Sequence, residues 1–347
     1  MIYLRNKTKR VRISNVTIGG QNKVVIQSMT NTKTSNVSGT LNQINQLINN
    51  GCELVRVAIL DEADLIGLKQ ICKKAKCPIV ADIHFNYLFA IKAIQAGVKK
   101  IRINPGNISN EKQLKEIIKV AKQNKVAIRI GINSGSLPKG VKNTCKNIVD
   151  VAVKWIHFFE KNKFTNLVVS LKSSDPNMTK QLYLIGASKI KYPLHLGVTE
   201  AGSLISSVIK STIGLHELLQ KGIGDTIRIS ISGDPLQEPI VARKLLIVSG
   251  ADKNSTNIIS CPTCGRTLFN FSEILEKIEQ YTLKNPKNLT VAVMGCVVNG
   301  IGESKNADIG LYGVSKTECI LMVKGKQIGK FSNKKLLSTF ISEYNKL

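Results

Sequence analysis

Residues 126–133 read Val-Ala-Ile-Arg-Ile-Gly-Ile-Asn. β-Branched residues alternate with smaller or polar ones, a period of two that predicts a strand. One arginine, Arg129, interrupts the apolar run. The phrase recurs as Leu-Val-Arg-Val-Ala around Arg56, Lys-Ile-Arg-Ile-Asn around Arg102 and Thr-Ile-Arg-Ile-Ser around Arg228. A guanidinium between such neighbours cannot face packed helices without a partner, because burying an unpaired charge is costly. Each of these arginines is therefore expected on the other face of its strand, directed to a solvated opening.

Outward from this stretch, β-branched runs at 24–29, 54–59, 79–83, 100–104, 126–132, 167–171, 194–198 and 226–231 alternate with helix-period segments. The latter include 41–48, 65–75, 114–121, 204–219 and 236–248. Eight βα units in about 250 residues match a (β/α)8 TIM-type barrel in count and length. A doubly wound open sheet also alternates strand and helix, but its G-x-G-x-x-G fingerprint is not present after the first strand. The predicted class is α/β, with a barrel over 1–250 and a small α+β unit over 251–347. The second unit opens after the polar stretch ADKNSTN and holds CPTCGRT, a helix-period segment at 271–281 and an apolar run at 289–294. The Gly-rich stretch GCVVNGIGESKNADIG, expected as a loop, then leads to ECILMVKG and a closing amphipathic segment at 334–344.

The chain has 347 residues with 50 Lys+Arg against 23 Asp+Glu, a formal charge of +27. At 43% hydrophobic residues it can build a core, unlike a disordered chain. No apolar run reaches the roughly 18 residues that span a bilayer, and the charged start MIYLRNKTKRVR shows no secretory signal. The expected location is cytoplasmic, with the eight cysteines reduced and no disulfide framework. The charge invites a nucleic-acid partner, yet aromatics make up only 5% of the chain and do not interleave with basic residues as a stacking platform requires. Of the 50 cations 9 are Arg, leaving 41 Lys spread along helix-period segments, a pattern that reads as a solvated surface.

Barrel active sites lie at the C-terminal ends of the strands. Arg56, Arg102, Arg129 and Arg228, joined by Lys172 of VVSLKSSD, would converge there on an anion, and Arg suits bidentate phosphate recognition. Polar companions at other strand ends are Asp82 and His84, Asn104, Asn133, His195, Thr199, Glu200, Ser230 and Ser232. Glu200 in such a mouth could move a proton. His195 could equally be a satisfied core histidine, and Asp82 an orienting partner for a basic neighbour.

Cys261 and Cys264 form C-x-x-C, and Cys296 follows 32 residues later. A structural zinc site wants four closed ligands, and no second C-x-x-C or Cys/His pair follows. The next donors are Glu303 and, more remotely, Cys319. Three thiolates and a carboxylate suit an iron-sulfur cluster with one differently ligated iron, though thiolates serve zinc as well. Cys52, Cys72, Cys77 and Cys145 are expected as packed or partly exposed free thiols.

The series QSMTNT, VRVA, ADIHF, IRINPGN, RIGINSGSL, SLKSSD, HLGVTEAG, RISISGDP, CPTCGRT and GCVVNGIGE resembles, in order, the 4-hydroxy-3-methylbut-2-enyl diphosphate synthase family in its short bacterial two-domain form. The resemblance covers nearly the whole chain. It implies reductive ring opening of 2-C-methyl-D-erythritol 2,4-cyclodiphosphate in the non-mevalonate isoprenoid pathway, with reduced flavodoxin or ferredoxin as donor. It also implies one four-iron four-sulfur cluster on Cys261, Cys264, Cys296 and Glu303, and a head-to-tail homodimer in which the cluster of one chain serves the barrel of the other. Phosphates would be held by Arg56, Arg102, Arg129, Lys172 and Arg228 with Asn133, Ser230 and Ser232. Glu200 would act near the substrate hydroxyl or as proton source, and Asp82 and His84 would shape the pocket. The chain departs from the family pattern at Ile301, where Pro is usual, and at Ser304, Ser203 and Asn36, where Ala, Gly and Asp are usual. Losing the proline is expected to loosen the segment that carries Glu303. Without the resemblance, the remaining readings are a phosphate-binding aldolase, isomerase or hydrolase with a zinc domain, or a basic nucleic-acid-binding module.

Overall fold

The computed structural model describes residues 6–104, 106–108, 110–135, 137, 140–269 and 271–347. The chain forms two compact units, Met1–Asp252 and Lys253–Leu347.

The first unit begins with an antiparallel hairpin, β1 (Val11–Ile13) and β2 (Val16–Ile18). Eight strand-helix pairs follow. They are β3 (Val25–Met29) and α1 (Val37–Asn49), β4 (Leu54–Ala58) and α2 (Glu62–Lys74), β5 (Ile79–Asp82) and α3 (Tyr87–Gln95), and β6 (Lys100–Ile103) and α4 (Glu111–Gln123). The series continues with β7 (Ala127–Asn133) and α5 (Cys145–Lys161), β8 (Leu167–Lys172) and α6 (Pro176–Lys189), β9 (His195–Leu196) and α7 (Leu204–Gln220), and β10 (Thr226–Ile227) and α8 (Gln237–Val248). All eight strands run parallel in the order β8-β7-β6-β5-β4-β3-β10-β9. A bridge between Val169 and Leu194 joins the two ends of that order, so the ring is that of a (β/α)8 barrel.

The period of two sorts the strand residues between two environments. Val55, Val57, Ile101, Ile103, Ile128, Ile130, Leu167, Val169, Leu196 and Ile227 pack with the helices in the main core. Their alternates Val25, Leu54, Val80, Ala127 and Val168 instead pack with Val11, Ile13 and Ile18 of the hairpin, which floors the barrel at the N-terminal ends of its strands. Two residues further along these strands, the same inward face carries Gln27, Arg56, Asp82, Arg129 and Ser170. The lining thus changes from apolar to polar one step above the floor.

Helix starts follow the local sequence. Asp61 accepts the Asp64 N–H, with acids in the first turn of α2 and Lys73 and Lys74 in its last, as the helix dipole favours. Asn36 caps α1 by accepting from Gly39 N, and Asn caps as well as the Asp usual in the family pattern. Asp175 caps α6 ahead of a proline at the first helical position.

The second unit is a five-stranded sheet, β11 (Asn257–Ser260), β12 (Thr290–Met294), β13 (Ile309–Gly313), β14 (Glu318–Val323) and β15 (Lys326–Ser332), in sequential order. The first three strands are parallel and the last two antiparallel. Helices α9 (Phe271–Lys284) and α11 (Asn333–Lys346) bury Ile274, Ile278, Phe340 and Tyr344 with Val291, Val293 and Leu311 of the sheet. The Gly-rich stretch expected as a loop is instead a helix, α10 (Val297–Asn306). Glycine disfavours helices, but packing decides here: a Cβ on Gly300 would lie 2.5 Å from the Tyr312 side chain, so the missing methyl lets α10 press onto β13. Ile301 is an exposed residue of this helix.

Candidate active site

The expected convergence of cations occurs on the inner face of the barrel. Arg102 and Arg129 are register partners on β6 and β7, as are Asp82 and Arg102 on β5 and β6, and Asn133 and Lys172 on β7 and β8. Register partners on parallel strands share a face, so these side chains are neighbours in one ring. Arg102 and Lys172 are each 7% exposed and Arg129 1%. Gly131 and Gly197 make room for two of them: a Cβ on Gly131 would meet Arg102 Nε at 2.8 Å, and one on Gly197 would meet Lys172 Nζ at 2.7 Å.

Two carboxylates answer this charge. Asp82 accepts from Arg102 Nη1 at 3.4 Å, meets His84 Nε2 at 3.2 Å and lies 4.0 Å from Arg56 Nε. Burial by itself would raise the Asp82 carboxyl, but Arg56, the His84 hydrogen bond and Arg102 outweigh it and hold it far below the usual carboxylate range. Glu238, at the start of α8, accepts from Arg228 Nε at 3.1 Å and Nη2 at 2.8 Å, from Ser28 Oγ at 2.6 Å and from Ile231 N at 3.3 Å. Arg228 is thus held in a bidentate pair, and its partner was not among the residues singled out from sequence. Asp82 takes the orienting role that was one of its two readings.

The other cations are poorly answered. Arg56 donates from Nε to Met29 Sδ, a weak acceptor, and burial lowers it to about 10, which leaves it charged at neutral pH. Arg129 Nε and Nη1 are buried without a hydrogen-bond partner. Burial, then Arg56 and Arg102, push Arg129 well below its ordinary value. A guanidinium stays protonated in proteins, so this marks an environment that strongly favours an added anion.

Below the mouth, Lys100 donates to Gln27 Oε1 at 2.8 Å, and His195 Nδ1 meets Thr226 Oγ1 at 2.7 Å while its Nε2 has no partner. Burial, with Arg129 and Lys172 next, holds His195 well below its ordinary value, so it is a neutral buried imidazole. Asn104 is spent locally, accepting from Gly106 N. At the strand ends, Ser232 N donates to Gly202 O and Ser230 O accepts from Ser207 Oγ, bonds that tie the segment after β10 to the loop after β9 and to α7. Glu200 is exposed in the loop after β9 with φ of 52°, a left-handed conformation uncommon for a residue with a side chain.

The cysteines fall into two groups. Cys52 and Cys77 line a cavity of about 470 Å³ at the N-terminal ends of the strands, and Cys72 and Cys77 one of about 240 Å³. Burial pushes the Cys72 thiol up to about 12 and Cys77 up to about 11, values of packed and unreactive thiols. Cys319 is likewise a core residue, pushed up to about 12 by burial.

Cys261 and Cys296 instead sit where β11 and β12 end. The register Ser260 to Val293 places Cys261 beside Met294, two residues before Cys296, which caps α10. Gly295 N donates to Cys261 Sγ at 3.2 Å, Leu268 N to Gly295 O at 3.1 Å and Thr267 N to Cys264 O at 3.0 Å, so both cysteine segments are stitched together. Glu303 lies seven residues after Cys296, two turns on and on the same side of α10, about 10 Å along its axis. All three thiols are free. Among the described residues no three His, Cys, Asp or Glu side chains converge on a single-ion site. Ligands of a cube-shaped cluster are spaced around its corners, so three free thiols in the segments that follow β11 and β12, one already accepting a backbone N–H, are of the donor type a four-iron cluster takes.

Residues 8–243 match the GcpE TIM-barrel domain, and residues 257–346 match the GcpE protein C-terminal domain. The chain belongs to the GcpE family. It is 48% identical to a Malacoplasma penetrans protein named 4-hydroxy-3-methylbut-2-en-1-yl diphosphate synthase (flavodoxin), over 98% of this chain and 97% of that one. Its identity to the proteins of the same name from Caldanaerobacter subterraneus subsp. tengcongensis and Geobacillus thermodenitrificans is 45%, over the whole of this chain and 99% and 94% of theirs. Among solved structures, dihydropteroate synthase from Xanthomonas albilineans matches 70% of this chain and 97% of its own at a TM-score of 0.53 and 13% identity. A type I 3-dehydroquinate dehydratase from Clostridium difficile matches 71% and 100%, also at 0.53, with 10% identity. At such identities these two show the shared barrel fold alone. No helix among the described residues of this GcpE chain is long and apolar enough to cross a membrane.

Proposed function

We propose that this chain catalyses reductive ring opening of 2-C-methyl-D-erythritol 2,4-cyclodiphosphate to 4-hydroxy-3-methylbut-2-enyl diphosphate in the non-mevalonate isoprenoid pathway. The observation that carries this reading is the 45–48% identity, over nearly the whole length of both partners, with synthases of that name. The barrel supplies its physical basis: Arg56, Arg102, Arg129 and Lys172 surround one mouth with too few carboxylates to neutralise them.

The cyclic diphosphate dianion takes two electrons and one proton to give the linear trianion and water. The chain's own work is to bind and orient the phosphates. Arg129 brings unpartnered buried donors, and Arg56 a guanidinium whose Nε donates to a thioether and lies 4.0 Å from Asp82. Arg102 is fixed by Asp82 and Arg228 by Glu238, so both forks meet the ligand already oriented. Asn133, Ser230 and Ser232 complete the ring with neutral hydrogen-bonding groups, and His84 with Asp82 shapes its β5 side. Glu200, on an exposed loop at the same end of the barrel, is the candidate source of the single proton.

Cys261, Cys264, Cys296 and Glu303 would hold a four-iron four-sulfur cluster that supplies single-electron transfer and a Lewis-acidic iron. Reduced flavodoxin or ferredoxin is the donor in this reading, and the lysine-rich surface suits an acidic carrier. The reading also includes a head-to-tail homodimer and a cytoplasmic location.

Anaerobic purification followed by iron, acid-labile sulfide and zinc analysis tests it. Iron and sulfide in equal amounts, near four of each per chain, support the reading; zinc without sulfide overturns it.

A further inference from the structure

Six cations, Arg56, Lys100, Arg102, Arg129, Lys172 and Arg228, face two carboxylates, Asp82 and Glu238, inside one barrel. Both carboxylates are committed, Asp82 to Arg102, His84 and Arg56, and Glu238 to Arg228, Ser28 and the Ile231 N–H. So large an uncompensated charge in a buried space relaxes by the cheapest route available. Guanidinium groups cannot release a proton in a protein; lysine ammonium groups can.

The two lysines are not equivalent. Lys100 is fully buried one layer down and is held by Gln27. Lys172 ends β8 beside Asn133, retains 7% exposure, and has its amine against the space left by Gly197, with no carboxylate within ion-pair distance among the described residues. The charged groups facing it are Arg129 from β7, Arg228 just after β10, Arg56 from β4 and Arg102 from β6, with the neutral His195 on β9. Burial, then Arg129 and the other three arginines, push its ammonium well below the ordinary lysine range.

We propose that Lys172 is a neutral amine in the ligand-free barrel and becomes an ammonium when the cyclic diphosphate binds, so that substrate binding takes up a proton. This rests on the diphosphate reading above. A dianion placed among the arginines offsets most of their uncompensated charge, and the trianionic product offsets more, so the ammonium form of Lys172 costs less in the bound site. A neutral amine spares the empty site one like charge, while the bound site gains a third donor-bearing cation beside Arg129 and Arg228. Because protonation accompanies binding, affinity falls as pH rises above the free-state value of Lys172, by up to about tenfold per pH unit.

The test is calorimetric titration of the full-length holoenzyme with the cyclic diphosphate, near pH 7.5, in buffers of different ionisation enthalpy. The expected result is uptake of close to one proton per ligand by the natural chain, and loss of that uptake at whatever affinity Lys172→Arg shows, since its side chain is permanently charged. Binding of the natural chain with no buffer dependence overturns the proposal even if the variant does not fold. Undiminished uptake in a folded Lys172→Arg protein also overturns it, since the proton would then go elsewhere. No binding in any buffer overturns the diphosphate reading, and the proposal with it.

Discussion

The inner face of the barrel and the cysteine end of the C-terminal unit both concentrate side chains of one chemistry, but they hold them differently. In the barrel the cations are fixed on rigid strands, nearly all are buried, and the cost of leaving them unanswered is held in the folded state. Arg129 shows this most plainly, with two buried nitrogens and no acceptor. At the cysteine end of the C-terminal unit the thiols are half-buried or exposed, and the hydrogen bonds among Gly295, Cys261 and Leu268 hold the two segments together. A preorganised site binds its ligand with little ordering cost; a site of the second kind would gain its final geometry from a metal, if loaded as proposed above. The barrel should therefore fold to nearly the same structure with or without ligand, whereas the cysteine end should tighten on loading.

Substitutions can break this contrast. The largest effect is expected from Cys296→Ser, which should abolish the visible absorbance and the iron content of anaerobically prepared protein while leaving its circular dichroism essentially unchanged. An unaltered spectrum would remove Cys296 from the ligand set. Glu238→Ala should come next, because it strands Arg228, Ser28 and a backbone N–H in a buried setting. A loss of about 3–5 kcal/mol in urea unfolding is expected, and a loss below about 1 kcal/mol would mean that Arg228 finds water instead. Arg129→Ala should weaken cyclic diphosphate binding by roughly ten- to a hundredfold, the scale of a charge-assisted hydrogen bond, with the cluster spectrum intact and stability equal or improved. The smallest effect is expected from Thr226→Val, which leaves buried His195 Nδ1 without its hydrogen bond and should cost about 1 kcal/mol.

The fold was legible in the sequence where one physical signal dominated. All eight barrel strands coincide, within a few residues, with β-branched runs, because helices cover one side of each strand and only apolar residues tolerate that. The arginines stood out for the same reason, as charges on the face that does not meet helices. What was not legible depended on partners distant in sequence. The hairpin Val11–Ile18 was not singled out from the sequence, and its alternating Val11, Ile13, Val16 and Ile18 take on a role only because Leu54, Val80, Ala127 and Val168 pack against them. Glu238 looks like an ordinary acid in the first turn of a helix, and only the fold brings it to Arg228, ten residues back, and Ser28, two hundred and ten residues back. The stretch 295–310 misled in the other direction. Its glycines suggest a loop by propensity, yet Gly300 of α10 and Gly310 of β13 are where the helix and the sheet approach closely, against Tyr312 and Ser304.

The most direct measurement is the product formed when anaerobically reconstituted full-length protein meets the cyclic diphosphate and chemically reduced flavodoxin. The account predicts 4-hydroxy-3-methylbut-2-enyl diphosphate, identified by phosphorus NMR and mass spectrometry, with two electrons consumed per molecule formed. Unchanged cyclic diphosphate beside a fully loaded cluster, with reduced flavodoxin still competent, would contradict it.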